Sequence, residues 1–235
     1  MQTNDFDYGF PVRIIDDYFS QQELYSISKE LDDLYDSEKL VYVSNKWSDD
    51  PQKVRSVGLD QLYEGKRTES TILNCTRKIL SGGGVLLKSS SSWFFKDFEC
   101  DRDRTILSSF RDGDCWGPHK DPSIITAVCF LYDSPKTFTG GELIFPDYEV
   151  GVEPFGNRIA LFPSFINHEI TPVKVDNGRG LITLTQYLSI NEFVTEAKDT
   201  DVPNRVSIGG DAGTFKYNVP SDYTLAEGNA EASYK

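Results

Sequence analysis

A chain of 235 residues is long enough to bury one sizeable core and too short for two full domains of ordinary size. With 38% hydrophobic residues, 15 Phe and 12 Tyr, the composition excludes a disordered chain and suits a strand-rich globular protein. The formal net charge of -13 at pH 7 repels polyanions, so we expect no broad nucleic-acid surface and a neutral or cationic substrate.

The sequence predicts neither export nor membrane insertion. Residues 1–10 lack a basic start followed by an apolar run, and no stretch is apolar over the length that spans a bilayer. The four cysteines lack CxxC spacing, so we expect reduced, mostly buried thiols at Cys75, Cys100, Cys115 and Cys129. These features predict a cytoplasmic protein with no membrane contact, and they leave its oligomeric state open.

Helical signals dominate the first third of the chain. Ser20 and Glu23 form an S-x-x-E capping box, and Phe19 with Leu24 can form the hydrophobic staple that often accompanies it. Apolar residues then repeat at helical spacing, at Leu24, Ile27, Leu31 and Leu34. A second helix is predicted from about Thr68 to Leu80, ended by the three glycines at 82–84. We therefore predict a helical support layer over about residues 16–85.

From about Ser92 the pattern changes to short β-branched and aromatic runs separated by Gly, Pro and Asp. The clearest predicted strands are Ile124 to Tyr132, Glu142 to Phe145, Arg158 to Phe162, His168 to Val173 and Leu181 to Leu188. Helices followed by strands predict an α+β, mainly β domain, in which helices buttress a β-sandwich or jelly roll with its core over about 92–190. We expect one domain over 1–195 and a polar carboxy-terminal arm over 196–235.

Both histidines of the chain lie in segments that suit a metal site. In an extended segment residues i and i+2 point to the same side, so His119 and Asp121 can present an imidazole and a carboxylate to one ion. His168 opens another predicted strand and can supply a third ligand. This set leaves the opposite coordination positions open, as in non-haem Fe(II) oxygenases. Isolated H-x-D pairs arise by chance, and the same ligands suit a Zn(II) hydrolase, so both alternatives stay open.

Arg179 leads into an alternating strand. Period-two alternation puts Arg179, Thr183 and Thr185 on one face of that strand, while Ile182 and Leu184 fall on the other. A dicarboxylate ligand would compensate a buried guanidinium, whose two parallel N–H groups grip a carboxylate. A salt bridge from Arg179 to a neighbouring Asp or Glu is the alternative in so acidic a chain.

Six short motifs follow one another between about Phe110 and Ser189. They are Pro118-His119-Lys120-Asp121, Gly140-Gly141-Glu142-Leu143, Gly156, Ala160-Leu161-Phe162-Pro163-Ser164, His168-Glu169-Ile170-Thr171-Pro172-Val173 and Gly178-Arg179. In this order the set resembles 2-oxoglutarate and Fe(II)-dependent dioxygenases of the prolyl 4-hydroxylase-like type. The amino-terminal helices resemble the support layer of such enzymes.

The resemblance implies a double-stranded β-helix, or jelly roll, in which His119, Asp121 and His168 are the catalytic metal ligands. It implies Fe(II) as the metal, with 2-oxoglutarate and O2 as co-substrates. Arg179 matches the basic residue that holds the distal carboxylate of 2-oxoglutarate, and Thr183 would lie close to the same carboxylate. The family's chemistry hydroxylates a substrate C–H bond and releases succinate and CO2, and the expected substrate is a prolyl or another peptidyl side chain.

The sequence departs from the family at the positions where tyrosines often lie near the co-substrate. These positions match Phe110, Trp116 and Phe130, and phenylalanine cannot donate a hydroxyl hydrogen bond, so Thr183 or another group must make the second contact. Trp116 is a candidate wall of the substrate pocket, with core packing as the alternative. The motifs specify the oxidant and not the substrate, so a dioxygenase for a free amino acid or small metabolite, and a non-catalytic metal-binding jelly roll, stay open.

Overall fold

The computed structural model describes residues 1–37, 39–44 and 53–190 of the chain. The α-helices are α1 (Gln21–Asp36), α2 (Leu59–Leu62), α3 (Thr71–Thr76), α4 (Ser81–Lys88) and α5 (Trp93–Asp97). Short 3-10 turns cover Arg67–Glu69, Arg77–Ile79 and Pro146–Tyr148. The first six strands are β1 (Gln2–Asp7), β2 (Pro11–Asp16), β3 (Val41–Ser44), β4 (Lys53–Gly58), β5 (Arg102–Phe110) and β6 (Trp116–His119). The others are β7 (Ile125–Leu131), β8 (Phe138–Thr139), β9 (Leu143–Phe145), β10 (Val150–Val152), β11 (Arg158–Pro163), β12 (His168–Ile170), β13 (Lys174–Val175) and β14 (Leu181–Ser189).

Two antiparallel sheets and a helical layer build the domain. The large sheet has eight strands in the order β1-β2-β11-β7-β14-β5-β4-β3, and the small sheet has four in the order β10-β9-β12-β6. The inner faces of the two sheets enclose one apolar cluster, which includes Phe130 and Phe145. The helices cover the other face of the large sheet through a second cluster, which includes Ile27 and Leu184. The predicted fold class is confirmed, because this is a mainly β jelly roll with helices packed on one side.

The five strands that the sequence predicts most clearly are all present. They correspond to β7, β9, β11, β12 and β14, with ends that shift by at most a few residues. In β14 the alternation separates the two cores, since Leu181 packs between the sheets while Ile182 and Leu184 pack against the helices. A strand buried on both faces therefore carries apolar residues at successive positions while keeping its period of two.

The predicted start of the first helix is confirmed in detail. Ser20 Oγ accepts a hydrogen bond from the Glu23 amide at 3.3 Å, and Glu23 Oε2 accepts one from the Ser20 amide at 2.7 Å. The apolar stripe of this helix faces the core, with Ile27, Leu31 and Leu34 buried. A cap of this kind contributes about 1 kcal/mol, so most of the stability of α1 comes from its buried stripe.

The amino-terminal third contains more strand than its helical signals indicate. Strands β1 to β4 all join the large sheet, and β1 pairs with β2 from Gln2 opposite Asp16 to Asp7 opposite Pro11. The β1 sequence is polar and mostly exposed, so it has no apolar alternation to reveal it. It is extended because β2 offers it a row of hydrogen-bonding partners. Helix α5 likewise lies in a region whose composition predicts strand. Its N-cap is Ser92, whose side chain accepts a hydrogen bond from the Phe94 amide.

The second predicted helix is divided. Helix α3 passes into the 3-10 turn Arg77–Ile79, and the three glycines that follow adopt left-handed φ values of 62° to 72°. Side chains other than glycine rarely adopt this conformation, so the right-handed helix ends before them, as predicted. One more helical turn then forms on the carboxy-terminal side of the glycines, within the range of α4.

The described residues test three other predictions only in part. The domain boundary near residue 195 stays a prediction, and the arm over 196–235 lies outside the described residues. All four cysteines are free thiols, with Cys129 buried and the other three partly buried. Among the described helices, none has the length and apolar character needed to span a bilayer.

Candidate metal centre and its cavity

The small sheet brings the two histidines together. Strand β6 ends at His119, and the antiparallel strand β12 begins at His168, so the register places these residues opposite each other. Their ring centroids lie 4.2 Å apart. Asp121 follows β6 by two residues, and its amide donates a hydrogen bond to the Ser164 carbonyl at 2.9 Å. Two strand ends and one backbone hydrogen bond therefore gather all three predicted metal ligands at one end of the jelly roll.

The spacing of the three side chains suits a single ion. His119 Nε2 lies 3.5 Å from Asp121 Oδ1, and His168 Nε2 lies 3.2 Å from Asp121 Oδ2. One ligand atom from each residue lies within 4.8 Å of the others. Ligands that each bind a divalent ion at about 2.0 to 2.2 Å must lie about 3 to 4.5 Å from one another, and both distances to Asp121 fall in this range.

Both imidazoles are oriented by backbone carbonyls. His119 Nδ1 donates to the Gly117 carbonyl at 2.8 Å, and His168 Nδ1 donates to the Ile166 carbonyl at 2.9 Å. Since a carbonyl only accepts, each Nδ1 carries a proton, and each Nε2 faces Asp121. Burial and the neighbouring His119 hold the pKa of His168 below its ordinary value. The His168 ring is therefore neutral at pH 7 and able to bind a metal.

Asp121 is buried and ionised. Burial opposes its charge, but interactions with His168 and a hydrogen bond from His119 outweigh that cost and hold the pKa of the Asp121 carboxyl well below its ordinary value. The buried cluster therefore carries a permanent negative charge that a divalent cation would compensate. The donor set of two imidazole nitrogens and one carboxylate fits Fe(II) with open positions on the far side.

A chain of buried hydroxyls supports Asp121. Thr126 Oγ1 donates to Asp121 Oδ2 at 2.6 Å and lies 2.9 Å from Ser164 Oγ, which in turn lies 2.6 Å from Ser123 Oγ. A hydroxyl has one proton, so Ser164 must donate to Thr126 when Thr126 donates to the carboxylate. No sequence motif identifies Thr126. Ser164 appears in the sequence only as the last residue of the motif that begins at Ala160.

A narrow cavity opens beside the three metal ligands. Its volume is about 40 Å³, and its polar lining comes from Ser108, Thr183, Thr185 and Tyr187 in addition to the ligands. The period-two alternation that pairs Thr183 with Thr185 extends to Tyr187, which the sequence analysis does not single out. This volume is far below the roughly 300 to 1,000 Å³ of ordinary ligand pockets, so a five-carbon diacid can enter only if lining side chains move.

A row of hydroxyl groups runs from this cavity toward β4. Thr183 on β14 lies opposite Ser108 on β5, which lies opposite Ser56 on β4. Ser56 Oγ and Ser108 Oγ are 2.8 Å apart. Thr183 also lies opposite Phe130 on its other side, and Phe110 lines the cavity, so two of the three expected tyrosine positions hold phenylalanine here. Of the hydroxyls in this row, Thr183 and Ser108 line the cavity and can replace the missing phenols as hydrogen-bond donors.

Arg179 lies away from the cavity. Its Nη2 is 2.5 Å from Asp32 Oδ1 on α1, and its guanidinium lies 5.0 Å from the centre of the Tyr35 ring. Partial burial opposes its charge, but the hydrogen bond to Asp32 raises the pKa of Arg179 above its ordinary value. Arg179 is not among the residues that line the cavity. The contact that the structure shows is thus the salt bridge that the sequence analysis leaves open, and binding of 2-oxoglutarate by Arg179 stays a prediction.

The backbone explains where Arg179 points. Gly178 and Gly180 on either side of it have φ values of 81° and 80°. A Cβ on Gly180 would meet the Phe110 carbonyl oxygen at 2.3 Å, so only glycine fits this close approach of β14 to β5. Period-two alternation holds only along regular extended backbone. It therefore orients Thr183 and Thr185 toward the cavity but does not extend back to Arg179.

Trp116 lines the cavity and also belongs to the core. It is 7% exposed, and its ring meets the His119 ring edge to face with centroids 6.1 Å apart. The two roles in the sequence analysis, pocket wall and core packing, are therefore combined in one side chain. Contact with a substrate stays a prediction.

Comparisons with known proteins give a likeness in structure. No protein-family model matches the sequence, and no curated protein matches it. A prolyl hydroxylase from Trichoplax adhaerens, solved in complex with a peptide fragment of the hypoxia inducible factor oxygen degradation domain, is 12% identical with a TM-score of 0.55. The match covers 76% of this chain and 83% of that chain.

A second structural match has a lower score. An oxidoreductase of the 2OG-Fe(II) oxygenase family from Burkholderia pseudomallei is 14% identical, with a TM-score of 0.49 over 76% of this chain and 84% of that chain. The first match confirms the predicted resemblance at the level of the fold, because the chain has a jelly-roll fold similar to that of the prolyl hydroxylase from Trichoplax adhaerens.

Proposed function

We propose that the protein is an Fe(II) and 2-oxoglutarate-dependent dioxygenase that hydroxylates a C–H bond of a prolyl or another peptidyl side chain and releases succinate and CO2. The observation that carries the proposal is the convergence of His119, Asp121 and His168 on one point beside a cavity within this fold. We also propose a cytoplasmic location, because four free thiols are typical of a reducing compartment.

The three ligands would hold Fe(II) on one side and leave its other side facing the cavity. When bound, iron and 2-oxoglutarate together supply the oxidation by O2, and the chain supplies position and exclusion of water. The carbonyls of Gly117 and Ile166 keep both Nε2 atoms aimed at the metal, and Thr126 limits the rotation of the Asp121 carboxylate. Apolar side chains such as Ile106, Val128 and Leu143 form the rest of the cavity wall and exclude water from the metal.

Two groups are candidates for the distal carboxylate of 2-oxoglutarate. Thr183 and Ser108 offer hydroxyl donors inside the cavity, and Thr183 was expected there from the family resemblance. Arg179 could add its charge after leaving Asp32, a pair that is 36% and 51% exposed and hence inexpensive to separate. Among the described residues that line the cavity, none is Lys or Arg, so the hydroxyls would need Arg179 or another cation to neutralise the diacid.

The direct test is turnover of the reconstituted protein. Full-length protein purified without oxygen and given Fe(II), 2-oxoglutarate and O2 should release succinate, because oxidative decarboxylation occurs even in the absence of the true substrate. His119→Ala should abolish this release and weaken Mn(II) binding in calorimetry. Equal succinate release by wild-type and His119→Ala protein would refute the assignment of the metal site.

Spectroscopy separates the oxygenase from a zinc hydrolase. Chelation of Fe(II) by the keto acid under nitrogen should produce a visible charge-transfer band, which Zn(II) cannot give. If Fe(II) binds but neither the band nor succinate appears, the chain is a metal-binding jelly roll without turnover. If succinate is released, a screen of peptides, free amino acids and small metabolites by mass spectrometry identifies the substrate.

A further inference from the structure

We propose that an aromatic groove next to the metal centre binds an extended peptide segment rich in Lys or Arg. The exposed rings that line the aromatic groove are Phe6, Trp93, Tyr148 and Phe165, and its volume is about 760 Å³. That this peptide is part of the substrate rests on the proposed function, whereas the binding itself does not.

The aromatic groove lies at the metal end of the large sheet. Strand β2 runs antiparallel to β11, with Arg13 opposite Leu161, so the β1–β2 turn lies near Pro163 at the end of β11. Pro163 and Ile166 line the aromatic groove. The Ile166 carbonyl also accepts the Nδ1 proton of His168 at 2.9 Å. The loop that orients a metal ligand therefore forms part of the groove wall.

Exposed aromatic rings concentrate at this place. Eight aromatic side chains in the described part of the chain are exposed, and four of them line the aromatic groove. Trp93 is 68% exposed and Phe165 is 60% exposed. The rings support one another, since Phe6 stacks on Tyr8 at 5.7 Å and Phe94 meets Phe165 at 6.2 Å. Contiguous exposed apolar patches mark binding sites more often than scattered single residues do.

The charge of the groove selects the occupant. Asp5 and Asp7 line it, and among the described lining residues none is Lys or Arg. Asp5 is already paired with Arg13 at 2.7 Å, whereas Asp7 is exposed and accepts a hydrogen bond from the Gly9 amide. Aromatic faces attract Lys and Arg, and the whole chain, at -13, attracts a cationic partner. An acidic or nucleic-acid partner would meet repulsion from both sources.

The aromatic lining favours an extended segment. Grooves lined by aromatic rings receive polyproline II peptides, which present side chains in three directions without internal hydrogen bonds. Prolines between the cations would stack on the rings, and the cations would reach Asp7 and the ring faces. We therefore expect a peptide that alternates Lys and Pro to be a good probe.

Binding can be measured without turnover. Full-length protein loaded with Mn(II) is titrated into a fluorescein-labelled peptide of alternating Lys and Pro, and polarisation is recorded. The same peptide with Glu in place of Lys is the matched control, and we expect it to bind at least about tenfold more weakly. Trp93→Ala and Phe165→Ala should each weaken binding of the Lys peptide about fivefold or more. Tyr25→Ala, which removes an equally exposed ring outside the groove, should leave it unchanged.

Several outcomes would overturn the proposal. Equal binding of the Lys and Glu peptides would contradict it. Binding of the Lys peptide that is unchanged in both Trp93→Ala and Phe165→Ala would also contradict it. Sedimentation that shows a concentration-dependent dimer, lost in Trp93→Ala, would show that a second copy of the chain covers the groove instead. Failure of the proposed function is distinguishable, because absence of succinate release with the peptide pattern intact would refute the oxygenase and leave the docking site.

Discussion

The Thr126 hydroxyl occupies one oxygen of the Asp121 carboxylate and thereby orients the other. Thr126 Oγ1 lies 2.6 Å from Oδ2, while Oδ1 faces His119. Because Ser164 and Ser123 continue the hydrogen-bond chain in a buried environment, the Thr126 proton has a strong preference for the carboxylate. Supporting hydrogen bonds of this kind set the direction in which a ligand approaches its metal.

Removal of this hydrogen bond should therefore weaken the metal site. We expect Thr126→Val, which keeps the shape of the side chain, to lower Mn(II) affinity about 10- to 100-fold in calorimetry. Thr126→Ser restores the hydroxyl and should restore most of the affinity, which a purely structural role of the threonine methyl group would not do. Unchanged affinity in the valine variant, with normal circular dichroism, would contradict the role of Thr126.

At the scale of secondary-structure elements, Asp103 joins the helical layer to the large sheet. This buried residue of β5 accepts hydrogen bonds from Arg67, which lies in the first 3-10 turn, and from Arg77, which follows α3. Gln186 of the neighbouring strand β14 adds a contact at 3.3 Å. Two guanidinium groups thus share one buried carboxylate beside the strand that carries Thr183.

Loss of the Asp103 carboxylate should destabilise the fold. Burial already lowers the pKa of Arg67, although the Asp103 charge opposes that shift. Asp103→Ala removes one of the two buried carboxylates that pair with Arg67, the other being Asp60, and loss of this charged hydrogen bond should cost about 1.5 to 3 kcal/mol. Urea unfolding monitored by tryptophan fluorescence measures the change, and Asp97→Ala on the exposed side of α5 is the control. A loss below about 1 kcal/mol would show that water or another group compensates Arg67.

The contact between Arg179 and Asp32 connects β14 to α1 and competes with the predicted role of Arg179. If Arg179 must leave Asp32 to reach 2-oxoglutarate, Asp32→Asn should tighten 2-oxoglutarate binding several-fold because that competition is removed. Arg179→Ala should weaken 2-oxoglutarate binding far more than Mn(II) binding. Calorimetry with each ligand separates the two effects. An unchanged 2-oxoglutarate affinity in both variants would show that Arg179 does not bind the diacid, and would assign it to Thr183 and Ser108 together with another cation.

At the scale of the whole molecule, the metal ligands connect the small sheet to the loops at the end of the large one. A metal that binds only the folded chain stabilises it by about 2.7 kcal/mol at a free concentration 100 times its dissociation constant. We expect Mn(II) to raise the midpoint of thermal unfolding and a chelator to reverse the change. His168→Ala should abolish this response. A similar increase in the alanine variant would place the metal elsewhere on this acidic surface.

Much of the architecture could be predicted because its signals are local. The S-x-x-E cap, the apolar stripe of α1 and the period-two alternation of β14 depend on residues two to four positions apart. The H-x-D pair likewise needs only an extended segment to present both side chains together. Strand β1 could not be predicted in this way. It is polar, and it becomes a strand only by pairing with β2.

The sequence alone determined the jelly-roll class, the cap of the first helix and the identity of three residues able to bind one metal. Only the tertiary structure decided that Thr126 and Ser164 support Asp121 and that Arg179 meets Asp32. Short-range patterns indicate which way a side chain points from regular backbone. The contacts of Thr126 with Ser164 and of Arg179 with Asp32 instead join residues from distant elements, and the direction of Arg179 also depends on a left-handed glycine. Such contacts form only when the layers pack, since the backbone at Gly180 turns to fit against Phe110.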